Sequence, residues 1–209
     1  MLRILIADDH TIVRKGLKQI LLEEFSNAVI DEVPDAEELI KKVMAEKWDV
    51  VVSDLSMPGR SGLDALQQIK SGYPDLPVLI LSIHPEEQYA LRALKSGAAG
   101  YLSKDTAPDE LVKAVKKVLL GKKYISQSIA EKLADSFSSN SNKQLHETLS
   151  DREFDVMKLL ANGKSVSDIA EMMSLSVTTV STYRARVMAK MNLKSNSDLT
   201  KYAIENKLI

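Results

Sequence analysis

Between Leu2 and about Leu120, short β-rich runs alternate with longer amphipathic segments. The runs cover residues 4–7, 29–33, 50–53, 78–82 and 100–103. Helical periodicity covers residues 13–22, 36–46, 63–70, 86–96 and 108–119. Strands buried on both faces read as near-continuous apolar runs, and an interleaved helix supplies the crossover that parallel strands need. The pattern predicts an α/β unit, a five-stranded doubly wound parallel sheet of order 2-1-3-4-5.

After Tyr124 the pattern changes. Residues 125–137 can form a helix, and residues 136–142, SFSSNSN, read as a small polar linker. From Leu149 onward the periodicity is entirely helical. It is punctuated by Ser-x-x-acid boxes at Ser150/Glu153, Ser165/Asp168 and Ser195/Asp198, each able to open a helix through reciprocal capping. Gly163 is placed to end the first of these helices. The expected organisation is an α/β domain over residues 1–122, a partly helical connection over 123–145, and an all-α domain over 146–209.

Composition narrows the possible chemistry. The 28 basic and 29 acidic residues nearly cancel, so a nucleic-acid role needs a local basic patch. The absence of Cys excludes disulfides, thiolate zinc sites and a cysteine nucleophile. No apolar run approaches the roughly 18 residues of a membrane span. Residues 1–7 do not read as a leader, because their apolar run stops at Asp8 and Asp9. A cytoplasmic protein without membrane contact is expected.

Function in a parallel α/β sheet collects at the carboxyl ends of the strands. Asp8 and Asp9 end the first strand, Asp54 the third and Ser82 the fourth, while Lys104 follows the fifth. Three clustered carboxylates repel one another unless a cation sits among them, and hard oxygen ligands suit Mg2+. A magnesium ion, a lysine and a hydroxyl together can hold a phosphoryl group while one carboxylate attacks the phosphorus. Each residue also has a plainer reading: Asp8 and Asp9 as a helix cap, Asp54 and Ser82 as turn residues, and Lys104 as a solvated side chain. Their coincidence at the ends of the proper strands favours the functional reading.

At this point the sequence resembles a known family. The pair at 8–9, Asp54 within DLSMPGRSG, Ser82, Tyr101 and Lys104 resemble the receiver domain of bacterial two-component response regulators, over residues 1–120. The resemblance implies that Asp54 accepts a phosphoryl group from a sensor histidine kinase. It also implies that Asp9, Asp54 and the backbone carbonyl of Ser56 ligate magnesium, with Asp8 acting through water. Lys104 would contact the phosphoryl oxygen. Ser82 and Tyr101 would form the switch pair, the hydroxyl moving to the phosphoryl group and the ring turning inward.

In the second half, SVSDIAEMMSLSVTTVSTYRARVMAKM gives a short helix containing Ile169, Ala170 and Met173, a tight turn near Leu175, and a longer helix. That arrangement suggests a helix-turn-helix with its second helix in the DNA major groove. No acid occurs between Glu171 and Asp198, whereas Arg184, Arg186, Lys190 and Lys194 do. An ordinary solvated basic face has the same composition. The segment from Leu149 also resembles the LuxR-type DNA-binding domain of NarL/FixJ response regulators, through its Leu-Ser-x-Arg-Glu opening, Gly163, Ile169-Ala170, Thr179-Val180 and Lys190-Met191. Where that subfamily often has Lys and His, this chain has Ser181 and Tyr183.

At about 100° per residue, Val180, Tyr183, Val187 and Met191 share one face and should pack inward. Thr178, Ser181, Thr182 and Ala185 point the other way, with Arg186 beside them, and Arg184 and Lys190 lie nearer the core edges. The expected contacts to double-stranded DNA are therefore Thr178, Thr179, Ser181, Thr182, Arg184, Ala185, Arg186 and Lys190. The expected function is a phosphorylation-controlled transcription regulator that forms a homodimer when phosphorylated.

Two rivals remain at this level. A hydrolase with an aspartyl nucleophile commonly carries a second acid two residues on, where this chain has Ser56. A receiver that is never phosphorylated would not need its complete set of acids and Lys104. Walker A and Gly-x-Gly-x-x-Gly patterns are both missing. His10, His84 and His146 are expected as surface residues.

Overall fold

The computed structural model describes residues 1–127, 129–131 and 144–209. The chain folds as two units, Met1–Ser138 and Ser139–Ile209. In the first, β1 (Arg3–Ala7), β2 (Val29–Val33), β3 (Val50–Asp54), β4 (Val78–Ser82) and β5 (Gly100–Ser103) form one parallel sheet of order β2-β1-β3-β4-β5. This is the expected order. The connecting helices are α1 (Thr11–Glu24), α2 (Ala36–Ala45), α3 (Gly62–Gly72) and α4 (Glu86–Lys95), and α5 (Ala107–Leu119) follows β5.

Strand alternation builds the core. Ile4 and Ile6, Val50 and Val52, and Leu79 and Leu81 face α1 and α5, which add Leu17, Leu21, Leu111, Val115 and Val118. Leu5, Val51 and Ile80, also fully buried, face the opposite layer, where α2 packs on α3. The register aligns the carboxyl ends: Ala7 lies opposite Ser53, Asp54 opposite Leu81, and Ser82 opposite Ser103.

Two glycines allow close backbone approaches. A Cβ on Gly62 would stand 1.9 Å from the Asp54 carbonyl oxygen, so only glycine lets α3 start directly against the end of β3. A Cβ on Gly100 would meet the Tyr124 carbonyl oxygen at 2.5 Å. Here the chain leaving α5 forms a single parallel bridge with the edge strand, Tyr124 N–H donating to the Ala99 carbonyl at 2.8 Å.

Of the helix expected over residues 125–137, the described part is 125–127 and 129–131: Ile125 and Ser126 are not helical, and the helix begins at 127. The rest of it, and the polar stretch at 136–142, lie outside the described residues.

The second unit opens with a 3-10 turn (Leu145–Thr148), followed by α6 (Asp151–Ala161), α7 (Val166–Met172), α8 (Val177–Met191) and α9 (Asn196–Glu205). The three expected capping boxes are present, at the starts of α6, α7 and α9. A fourth, Ser61/Asp64, opens α3 and was not anticipated. Gly163, at φ 79°, follows the end of α6 as expected. Phe154, Val156, Met157, Ile169, Val180, Val187 and Leu199 form this unit's core. No described helix is long and apolar enough to cross a membrane.

Candidate functional site

The sheet's alignment brings Asp8, Asp9, Ser82 and Lys104 to the same edge as Asp54. Asp8 and Ser82 are fully buried and Asp54 is nearly so. Lys104 Nζ lies 2.7 Å from Asp8 Oδ2 and 2.8 Å from Asp54 Oδ2, bridging two carboxylates from separate strand ends. It is not solvated: its side chain is only 14 % exposed. Burial alone draws the Lys104 ammonium down, but its bonds to Asp54 and Asp8 outweigh that and hold it above the ordinary lysine range. Burial pushes the Asp54 carboxyl up, against the opposing pull of Lys104.

The N-cap of α1 is His10, with no side-chain cap bond, so neither Asp8 nor Asp9 caps that helix. Asp54 does accept the Ser56 N–H, at 3.3 Å, and Ser82 Oγ accepts the His84 N–H at 2.9 Å. Both local turns therefore exist, but Asp54 keeps a second oxygen aimed at Lys104. Tyr101 is buried, its hydroxyl donating to the His84 carbonyl at 3.0 Å. The ring is thus turned inward.

Asp8, Asp9, His10 and Asp54 each offer a ligand atom within 4.8 Å of the others. Asp8 Oδ2 and Asp9 Oδ1 are buried without a well-formed hydrogen bond, although Lys104 Nζ stands beside the first and His10 Nδ1 lies 2.8 Å from the second. Buried oxygens left to ion contacts alone fit a hard divalent cation.

The histidines correct the sequence reading. His10 is exposed, as expected, but joins the acidic group. His84 is half-buried; its Nε2 meets Ser56 Oγ at 2.9 Å and its ring stacks on Tyr89. His146 is half-buried, its Nδ1 2.9 Å from the Tyr202 hydroxyl. His84 and His146 each lie where tertiary packing, invisible in a scattered triplet, brings a hydroxyl to the ring.

In the second unit, α7 and α8 form a helix-turn-helix whose turn places Ser174 at φ 53°. Val180, Val187 and Met191 are buried, whereas Tyr183 is only half-buried. Thr178, Ser181, Thr182, Ala185 and Arg186 are exposed on one side. Several of the expected DNA contacts already have partners. Thr182 Oγ1 donates to the Thr178 carbonyl at 2.9 Å, and Thr179 Oγ1 lies 2.8 Å from the cap hydroxyl of Ser176. Arg184 donates twice to Asn196 Oδ1, at 3.1 and 3.0 Å. Lys190 Nζ lies 2.6 Å from Glu153 Oε2. Among the described residues, no hydrogen bond or ion pair holds Arg186.

Residues 4–116 match the model of the response regulator receiver domain, and residues 147–203 that of the luxR family of bacterial regulatory proteins. The oxygen regulatory protein NreC of Staphylococcus carnosus is 37% identical over 215 residues, covering 100% of this chain and 99% of that one. The response regulator UvrY of Escherichia coli is 36% identical over 209 residues, covering 100% of this chain and 96% of that one. Salmonella enterica serovar Typhimurium RcsB, solved bound to promoter rprA with the phosphomimetic BeF3-, matches at TM-score 0.63 and 26% identity. That match covers 97% of this chain and 98% of the other.

Fold, site and both domain matches define a DNA-binding response regulator of a two-component system. Within that class the chain belongs to the NarL/FixJ-type response regulators, which join a receiver to a LuxR-type helix-turn-helix.

Proposed function

We propose that Asp54 is the phosphoacceptor, taking the phosphoryl group of a sensor histidine kinase's phosphohistidine. A carboxylate oxygen of Asp54 attacks the phosphorus, the P–N bond breaks, and the imidazole leaves with its electron pair and takes up a proton. The observation that carries this reading is the Lys104 ammonium held between Asp8 and Asp54 at 2.7 and 2.8 Å. That cation can follow a phosphoryl oxygen as charge develops there. Asp8, Asp9, Asp54 and the Ser56 carbonyl would hold Mg2+, which when bound neutralises the carboxylates and phosphoryl oxygens. Ser82 and Tyr101 report the modification to the rest of the receiver, and slow loss of the group by hydrolysis resets it.

The output is DNA binding by α8. Arg186, Arg184 and Lys190 supply positive charge for phosphates; Thr178, Thr179, Ser181, Thr182 and Ala185 form a small face toward the bases. Phosphorylation favours a homodimer, which places two such helices on one DNA site. RcsB has been solved as two dimers on two parallel DNAs, which supports this reading. The protein works in the cytoplasm, with domain limits near 1–122, 123–145 and 146–209.

The test is intact-mass measurement after treatment with acetyl phosphate and magnesium. The wild type should gain one phosphoryl group and Asp54→Asn none. Equal labelling of both would refute the assignment. Sedimentation and DNA titration with and without beryllofluoride test the dimer.

A further inference from the structure

One charged side chain outside the expected set closes on the acidic site from α1. Arg14, in the first turns of that helix, has a side chain only 12 % exposed. Its Nη1 donates to the Asp8 carbonyl oxygen at 2.5 Å, and its Nη2 to Thr11 Oγ1 at 3.1 Å. Among the described residues, its Nε has no hydrogen-bond partner. Glu32 Oε2 stands 3.8 Å from that Nε, while Glu32 Oε1 pairs with Lys18 at 3.1 Å. A guanidinium cannot shed its charge, and it is best accommodated in a bidentate fork on a carboxylate. Arg14 forgoes that arrangement and divides its donors between the Asp8 carbonyl and the Thr11 hydroxyl.

What it gains is control of the Asp8–Asp9 peptide. The Asp8 N–H donates to the Val33 carbonyl at 3.3 Å, and Asp8 Oδ1 accepts the His10 N–H at 2.8 Å. With Arg14 on its carbonyl, Asp8 is fixed on both sides of its Cα. The peptide plane leading into Asp9 is then set, and Asp9 lacks any well-formed hydrogen bond of its own at the buried Oδ1.

We infer that Arg14 is a positioning residue for the divalent cation, holding the Asp8–Asp9 peptide and so aiming the Asp9 carboxylate. The inference rests on the magnesium reading above. A purely electrostatic role has the opposite sign: deleting a nearby positive charge would tighten cation binding.

The test uses the full-length protein, with magnesium titrated calorimetrically into wild type, Arg14→Ala and Arg14→Lys. Removing groups that orient metal ligands typically costs 10–100-fold in affinity, so Arg14→Ala should bind about tenfold more weakly. Arg14→Lys should fall between the two, because one ammonium cannot hold both the Asp8 carbonyl and Thr11. The rise in thermal midpoint at a fixed magnesium concentration should shrink in the same order. A general loss of packing would instead lower every midpoint equally, with and without the ion. A folded Arg14→Ala that binds magnesium as tightly as wild type, or more tightly, overturns the inference. Should Arg14→Ala fail to fold, an Arg14→Lys protein with wild-type affinity overturns it equally. If wild type itself shows neither heat nor midpoint shift, the magnesium reading falls as well.

Discussion

Lys190 and Glu153, 37 positions apart, meet at 2.6 Å and tie the DNA-facing helix α8 to the start of α6. Glu153 is almost wholly buried, and its Oε2 also accepts the Ser150 N–H of the capping box at 2.8 Å. Burial alone would raise the Glu153 carboxyl, but Lys190 and the Ser150 bonds hold it below the usual carboxylate range. Glu153→Gln should therefore destabilise the second unit by about 1–3 kcal/mol near neutral pH. A depressed folded pKa contributes stability that is present above the unfolded pKa, about 4.3, and is lost as pH falls through the folded value. The gap in thermal midpoint between wild type and mutant should be constant above about pH 5 and narrow below roughly pH 4. Thermal unfolding across that pH range checks both.

Lys104→Ala should leave magnesium binding no weaker, since every carboxylate remains and a neighbouring positive charge is removed, yet uncouple phosphorylation from DNA binding. The mutation leaves the buried Asp8 and Asp54 facing each other without their shared cation. A magnesium titration beside a DNA titration, with and without beryllofluoride, reads the two effects separately. Normal stimulation of DNA binding would contradict the role given to Lys104.

Gly62→Ala should be among the most damaging single-methyl additions in the receiver. Its Cβ would stand 1.9 Å from the Asp54 carbonyl oxygen, a backbone atom that cannot swing aside as a side chain can. Overpacking of this kind costs about 3 kcal/mol. The expected outcome is a lower urea midpoint together with slower labelling by acetyl phosphate, because α3 can relax only by moving the end of β3.

Arg186→Ala should weaken binding to all DNA sequences alike and reduce the slope of log affinity against log salt by about one unit. Thr182→Ala should change sequence preference with little effect on that slope. The Thr182 hydroxyl already donates to the Thr178 carbonyl, so it offers the bases a lone pair and a methyl group. Titrations against cognate and scrambled duplexes at several salt concentrations decide it. A loss confined to cognate DNA for Arg186→Ala would make that residue a base reader.

Ser174→Gly should stabilise the helix-turn-helix by about 1 kcal/mol, since Ser174 holds a left-handed conformation that glycine adopts without strain. A rise in the thermal midpoint of the second unit checks it.

These predictions divide by what the sequence could reveal. The central strands were legible because strands buried on both faces are written as contiguous apolar runs, whereas the half-buried β2, VIDEV, was marked only by its β-branched residues. The acidic edge followed, since Asp8, Asp54 and Lys104 stand directly after those runs and Ser82 ends one of them. Helix limits were less legible: α1 begins at Thr11, ahead of the apolar period that starts at Val13. The ties between distant residues left no local signal. Lys190 reads as one more charge in a basic window until folding brings Glu153 beside it. Arg14 looks like a solvated helix residue until the turn carrying Asp8 presents a carbonyl to it. The necessity of Gly62 is visible only from the atoms of β3.

The bridge between Tyr124 and Gly100 bears on how the protein behaves in a crowded solution. A sheet's outermost strand carries a row of unused amide and carbonyl groups, an open template on which another chain can nucleate. At β5 the polypeptide lays its own backbone over the start of that row, Tyr124 taking the Ala99 carbonyl. Glycine at position 100 keeps the seal flush. The same segment that leads out of the receiver thus serves as its guard against intermolecular strand addition, beside the strand that carries Tyr101.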